Sequence, residues 1–93
     1  MKNDIELFVA GCALCEEAVN KIELGKCAGC RMTVHDIRKK DKTTARLAKR
    51  YNITAVPTIV INSRIKIVGV PDFPMVCSPD FYAFLERNYP LKA

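Results

Sequence analysis

The spacing of the apolar residues changes at Gly11, and this change limits the fold more than any other feature of the chain. Residues 5–10, Ile-Glu-Leu-Phe-Val-Ala, form a mostly apolar run that is typical of a buried strand. Beyond Gly11, the apolar residues Leu14, Ala18 and Ile22 recur every four positions, which places them on one face of a helix. The sequence therefore predicts a strand that leads directly into a helix.

The rest of the chain continues to alternate between strand and helix patterns. Residues 32–37 are rich in β-branched side chains and predict a second strand. Capping residues at 41–44 begin a helix that ends at Asn52, and residues 58–68 predict a β-hairpin around an Asn-Ser turn. The Ser-Pro-Asp sequence at 78–80 begins a last helix. The predicted order is β-α-β-α-β-β-α, an α/β domain with a central four-stranded mixed sheet flanked by helices.

Length and charge restrict the class of protein. The 93 residues fit one domain, 1–93, and the apolar stretches are far shorter than the ~20 residues that a membrane-spanning helix needs. We therefore expect a cytoplasmic monomer that does not bind a membrane. The net charge is +5, and a basic run extends from Arg38 to Arg50. Because no aromatic side chains interleave with these cations, the run predicts no nucleic-acid partner. It is interpreted as a solvated face, with an acidic protein partner as the alternative.

Five cysteines, four of them in two Cys-x-x-Cys pairs, carry the chemistry of the chain. The first pair, Cys12 and Cys15, lies where the strand gives way to the helix. The start of a helix favours the thiolate form of Cys12, and the thiolate is the nucleophile in disulfide exchange. Cys15, three residues on, lies on the same side of the first turn. This placement predicts a thiol–disulfide oxidoreductase.

Other uses of the thiols stay open at this stage. Cys12 and Cys15 could be small buried residues, or they could carry a soft metal ion together with Cys77. The second pair, Cys27 and Cys30, could be a regulatory disulfide, a second dithiol, half of an intermolecular metal site, or a structural feature. The helix between the pairs rises roughly 15 Å, so one zinc site shared by all four thiols is not expected. No metal and no cofactor are predicted, and the second pair is expected at the opposite end of the sheet.

Two segments resemble the thioredoxin and glutaredoxin superfamily. The stretch 11–15, Gly-Cys-Ala-Leu-Cys, resembles its active site, and the stretch 48–58, which ends in Ala-Val-Pro-Thr, resembles the segment before the third strand of thioredoxins. The resemblance implies that Pro57 is cis and faces the cysteine pair. It also implies that Val56, Pro57 and Thr58 bind the substrate chain.

The resemblance further implies a role for Glu6 and a set of partners. Glu6 matches a buried carboxylate that takes the proton of the resolving cysteine in thioredoxins. The implied partners are a disulfide-containing protein or small molecule, as substrate, and an upstream reductase. His35, the single histidine, is interpreted as a solvent-facing strand residue without a catalytic role.

Overall fold

Four strands and three helices alternate along the residues that the computed structural model describes, 3–26, 28–39, 41–76 and 78–91. They are β1 (Asp4–Val9), α1 (Ala13–Gly25), β2 (Arg31–Asp36), α2 (Lys42–Arg50), β3 (Thr58–Ile61), β4 (Ile65–Val68) and α3 (Pro79–Asn88). Their order along the chain is the predicted one. None of the helices in these ranges is long and apolar enough to cross a membrane.

The four strands form one mixed sheet in the order β2-β1-β3-β4. β1 runs parallel to β2 and antiparallel to β3, and β3 runs antiparallel to β4. A parallel pair needs a crossover, and α1 supplies it by carrying the chain back along the sheet. Consequently β1 and β2 finish, and β3 begins, at the same end of the sheet, which is called the Cys12 end below.

Side-chain alternation along the strands divides the core between the two faces of the sheet. On one face, odd-numbered strand residues pack with α1 and α3. The buried apolar residues of this cluster include Ile5, Leu7, Val9, Cys15, Ala18, Ile22, Ile59, Ile61, Ile65, Ile67 and Leu85. On the other face, Phe8 and Val60 pack with Tyr51 and with Leu47 of α2. The sheet is therefore covered by helices on both sides.

Side-chain caps begin all three helices. Cys12, Asp41 and Ser78 each accept a hydrogen bond from a backbone N–H in the first turn of α1, α2 and α3. The helix starts predicted at these positions are confirmed. α2 ends at Arg50, two residues before the predicted Asn52, because Asn52 adopts a left-handed φ of 53° that no helix continues.

The β3–β4 hairpin is confirmed, and its turn has the backbone that a tight hairpin requires. Asn62 and Ser63 have φ values of 54° and 56°. The Arg64 N–H donates to the Ile61 carbonyl at 3.0 Å and closes the turn. Two consecutive positive φ values match the right-handed twist of the flanking strands, and asparagine tolerates that conformation better than most residues.

Candidate functional site

Cys12 and Cys15 form a disulfide at the N-terminus of α1. Their Cα atoms are 5.0 Å apart. Cys15 is 2% exposed and lies in the core, whereas Cys12 is only half-buried. The Cys15 N–H donates to Cys12 Sγ at 3.2 Å, and the Ala10 N–H donates to Cys15 Sγ at 3.5 Å. The Cys12 sulfur can therefore contact a partner molecule, whereas the Cys15 sulfur is enclosed by the core.

The segment before β3 lies at the same end of the sheet as the disulfide. Thr58 pairs with Phe8, so the residues that precede Thr58 lie beside the end of β1, from which the chain continues to Cys12. The Val56–Pro57 peptide bond is cis, which confirms that prediction. Thr58 is buried, and its Oγ1 donates to the Ala55 carbonyl at 2.7 Å.

Three exposed aliphatic side chains lie at the Cys12 end of the sheet. Leu14, between the two cysteines, is 58% exposed. Val68, which pairs with Thr58 across the hairpin, and Ile37, whose N–H donates to the Val9 carbonyl, are also exposed. Such a rim suits contact with the apolar parts of a peptide chain.

A guanidinium group lies against the residue before Cys12. Gly11 has a φ of +72°, and a Cβ added to it would lie 2.6 Å from the Arg38 Cζ, Nη1 and Nη2 atoms. Arg38 Nε and Nη2 donate to the two carboxylate oxygens of Asp36 at 3.0 and 2.7 Å. This contact lowers the pKa of Asp36 to about 2 and raises the pKa of Arg38. The Arg38 side chain is 62% exposed, in agreement with the solvated face that the sequence predicts, but its contact with Gly11 was not predicted.

Glu6 has a different partner from the one predicted. It alternates with Ile5 and Leu7, which share a core cluster with Cys15, so its side chain lies on the opposite face of the sheet. There its Oε1 is 3.1 Å from His35 Nε2. The structure does not bring Glu6 to the Cys15 sulfur, and we do not retain it as the base for that thiol.

His35 was predicted to face solvent, but its side chain is only 10% exposed. Its ring stacks on Phe8 with the centroids 4.9 Å apart, and its Nδ1 lies 3.5 Å from Thr44 Oγ1. The interpretation as a solvent-facing residue is wrong because the start of α2 covers this part of β2. The alternation of β1 assigns Glu6 and Phe8 to the α2 face, but the register that places His35 next to them is not encoded in any local spacing.

The described part of the second cysteine pair lies at the opposite end of the sheet, as predicted. Cys30 directly precedes β2, whose Arg31 pairs with Asp4 at the start of β1. It is buried, and Asn3 Nδ2 donates to its Sγ at 3.7 Å. Cys27 and Cys77 lie outside the described residues. Within the described ranges, no three His, Cys, Asp or Glu side chains are grouped as metal ligands.

Comparison with known proteins finds a similar protein but does not indicate an activity for this chain. No family model matches the chain. The chain is 28% identical over 64 residues to an uncharacterized 9.0 kDa protein in the mobE 3′ region of Acidithiobacillus ferrooxidans. The match covers 69% of this chain and 73% of that protein.

Proposed function

We propose that this protein is a thioredoxin-like thiol–disulfide oxidoreductase, with Cys12 as the attacking thiol and Cys15 as the resolving thiol. The observation that carries the proposal is the asymmetric disulfide at the start of α1. One of its sulfurs is half-buried and the other is 2% exposed. An outer nucleophile and an enclosed partner sulfur are what a two-step exchange needs.

The exchange balances without a metal or cofactor. In the reduced protein, the N-terminus of α1 favours the Cys12 thiolate, which attacks one sulfur of the substrate disulfide and expels the other as a thiolate. Cys15 then loses its proton and attacks Cys12 Sγ. The second substrate thiolate leaves, and the Cys12–Cys15 disulfide forms. Two electrons pass from the protein to the substrate. The two leaving thiolates take up the Cys15 proton and the solvent proton that was released when the Cys12 thiolate formed, and an upstream reductase restores the dithiol.

The segment before β3 is the contact that we propose for the substrate backbone. This segment lies at the Cys12 end of the sheet, where the resemblance to thioredoxins implies the substrate-docking proline. Val56 is partly exposed whereas Pro57 and Thr58 are fully buried, so we assign the contact with an extended substrate segment to Val56, held in place by Pro57 and Thr58. The mixed four-stranded sheet with helices on both faces supports the same class. A compartment that keeps thiols reduced, such as the cytoplasm, suits a monomeric reductase of this kind.

Single cysteine variants test the proposal. We expect the wild-type protein to reduce bis(2-hydroxyethyl) disulfide in the presence of dithiothreitol faster than dithiothreitol alone. Cys12→Ser should abolish this acceleration. Reduced Cys15→Ser, freed of dithiothreitol and then mixed with bis(2-hydroxyethyl) disulfide alone, should accumulate a mixed disulfide on Cys12, visible by mass spectrometry as one added 2-mercaptoethanol.

Cys30→Ser is the matched control because it removes one sulfur at the opposite end of the sheet. It should keep the acceleration. A wild-type protein that does not accelerate the reaction, or a Cys30→Ser variant that folds but is as inactive as Cys12→Ser, contradicts the proposal.

A further inference from the structure

We propose that Arg38 recognises carboxylates of the substrate, and that the substrate is an acidic peptide segment beside a disulfide. This inference rests on the proposed function and names the substrate class of the same site. It starts from the guanidinium that covers Gly11. That contact places the Arg38 Cζ atom within about 8 Å of the Cys12 Cα atom.

The guanidinium is held in place and still able to bind. Asp36 accepts hydrogen bonds from Nε and Nη2, which fixes the plane of the group. Nη1 makes no hydrogen bond to any residue in the described ranges, and the side chain is 62% exposed. A rigid fork of N–H donors matches the geometry of a carboxylate better than a lysine ammonium does. Arg38 is thus prepared to bind a carboxylate without first becoming ordered.

The charges around the disulfide give the substrate an orientation. In the described residues from 36 to 42, three cations (Arg38, Lys39 and Lys42) stand against two carboxylates (Asp36 and Asp41), so this loop has a net charge of +1. Glu16 and Glu17 belong to the first turns of α1 rather than to this loop, and both are exposed. A substrate with acidic residues is attracted to the loop side and repelled from the helix side. The exposed rim is aliphatic rather than aromatic, which favours a peptide over a nucleic acid as the occupant.

The chemistry of the exchange is unchanged by this contact. Cys12 and Cys15 supply the two electrons that reduce the substrate disulfide, as described above, and Arg38 forms and breaks no covalent bond. Its effect is to raise the encounter rate and the affinity for substrates with a nearby carboxylate.

The test compares two disulfide-linked peptides that differ only in having three Glu or three Gln residues next to the cysteine. We expect the wild-type protein to reduce the Glu peptide with a higher kcat/KM, and we expect Arg38→Gln to lower the Glu-to-Gln ratio by roughly three-fold or more. Arg38→Lys, which keeps the charge but not the fork, should give an intermediate ratio. Lys49→Gln is the matched control: it removes the same charge from the last turn of α2.

Each outcome either supports or overturns the role of Arg38 in binding acidic substrates. A lower ratio in Arg38→Gln with an unchanged ratio in Lys49→Gln supports the inference, as does loss of the wild-type preference at 1 M salt. Equal ratios for the two peptides, or equal losses in both variants, overturn it, since the effect is then absent or due to net charge alone. Reduction of bis(2-hydroxyethyl) disulfide distinguishes failure of this inference from failure of the proposed function. Activity there without acidic preference overturns only this inference, whereas inactivity on every disulfide overturns the proposed function as well.

Discussion

Two separate features of the structure favour glycine at position 11. Its φ of +72° lies in the left-handed region, where a Cβ is unfavourable, and the Arg38 guanidinium occupies the space that a Cβ would need. Gly69 shares only the first feature: its φ is +89°, but no atom of the described residues lies within 4 Å of an added Cβ. The two glycines therefore form a natural comparison between backbone conformation and side-chain packing.

We expect Gly69→Ala to lower the free energy of unfolding by about 1–2 kcal/mol through backbone conformation alone. Gly11→Ala should lower it by more, because the new methyl group also displaces Arg38 from its place over the chain. Urea unfolding of both variants, followed by far-UV circular dichroism, measures the difference. Equal losses in the two variants would mean that the Arg38 contact contributes nothing to stability.

The Asp36–Arg38 pair predicts a pH dependence with a definite sign. The folded protein holds the pKa of Asp36 at about 2, below the ordinary value near 3.8, through hydrogen bonds from Arg38. A lowered pKa contributes stability that is complete above the unfolded value and is lost as the pH falls through the folded value. A carboxyl-carbon NMR titration should give Asp36 a midpoint near 2 in the wild type. Arg38→Gln should raise that midpoint, whereas Lys49→Gln should leave it in place.

At the residue scale, contacts between distant parts of the chain are what the sequence did not predict. The Glu6–His35 contact depends on the register of β1 against β2, which no local spacing encodes. The position of Arg38 depends on the path of a loop around a glycine. The position of the cysteine pair at a helix start was predicted correctly, because the spacing of the pair and the helix signal are local properties.

At the scale of elements, the sequence was a better guide. Caps, turn residues and apolar periods are local signals, and they predicted all seven elements in order, with boundaries shifted by one or two residues. The hairpin turn shows how one of these signals also stabilises the tertiary fold. Asn62 Oδ1 accepts from the Asp4 N–H at 2.9 Å, and its Nδ2 donates to Asn3 Oδ1 at 2.7 Å. The turn is thereby attached to the start of β1.

Substitutions at Asn62 should separate its backbone role from its side-chain role. Asn62→Gly keeps the positive φ and loses both side-chain hydrogen bonds, which should cost about 1–3 kcal/mol of unfolding free energy. Asn62→Ala loses the same bonds and adds a Cβ in the left-handed region. It should be less stable than Asn62→Gly by roughly 0.5–1 kcal/mol, after allowance for the greater unfolded-state freedom of glycine. Thermal or urea unfolding checks the order, and a more stable alanine variant would refute it.

At the scale of the whole molecule, the parallel pairing of β1 and β2 separates the two Cys-x-x-Cys sequences. Cys12 follows the end of β1, whereas Cys30 precedes β2 beside the start of β1. The 13 residues of α1 connect the two ends and span about 20 Å. Cys30 is therefore too far from Cys12 and Cys15 for direct thiol–disulfide exchange within one folded molecule.

This separation predicts that the second pair is dispensable for the basic reaction. We expect the double variant Cys27→Ser/Cys30→Ser to retain Cys12-dependent disulfide reduction within a few-fold of wild type. Its melting temperature should fall, because Cys30 is buried and a hydroxyl there replaces an apolar sulfur. The assay is therefore run well below that temperature, with circular dichroism as the check on folding. Activity lost as completely as in Cys12→Ser, from a folded variant, would mean that the two pairs act as one site and that the mechanism proposed for Cys12 and Cys15 is wrong.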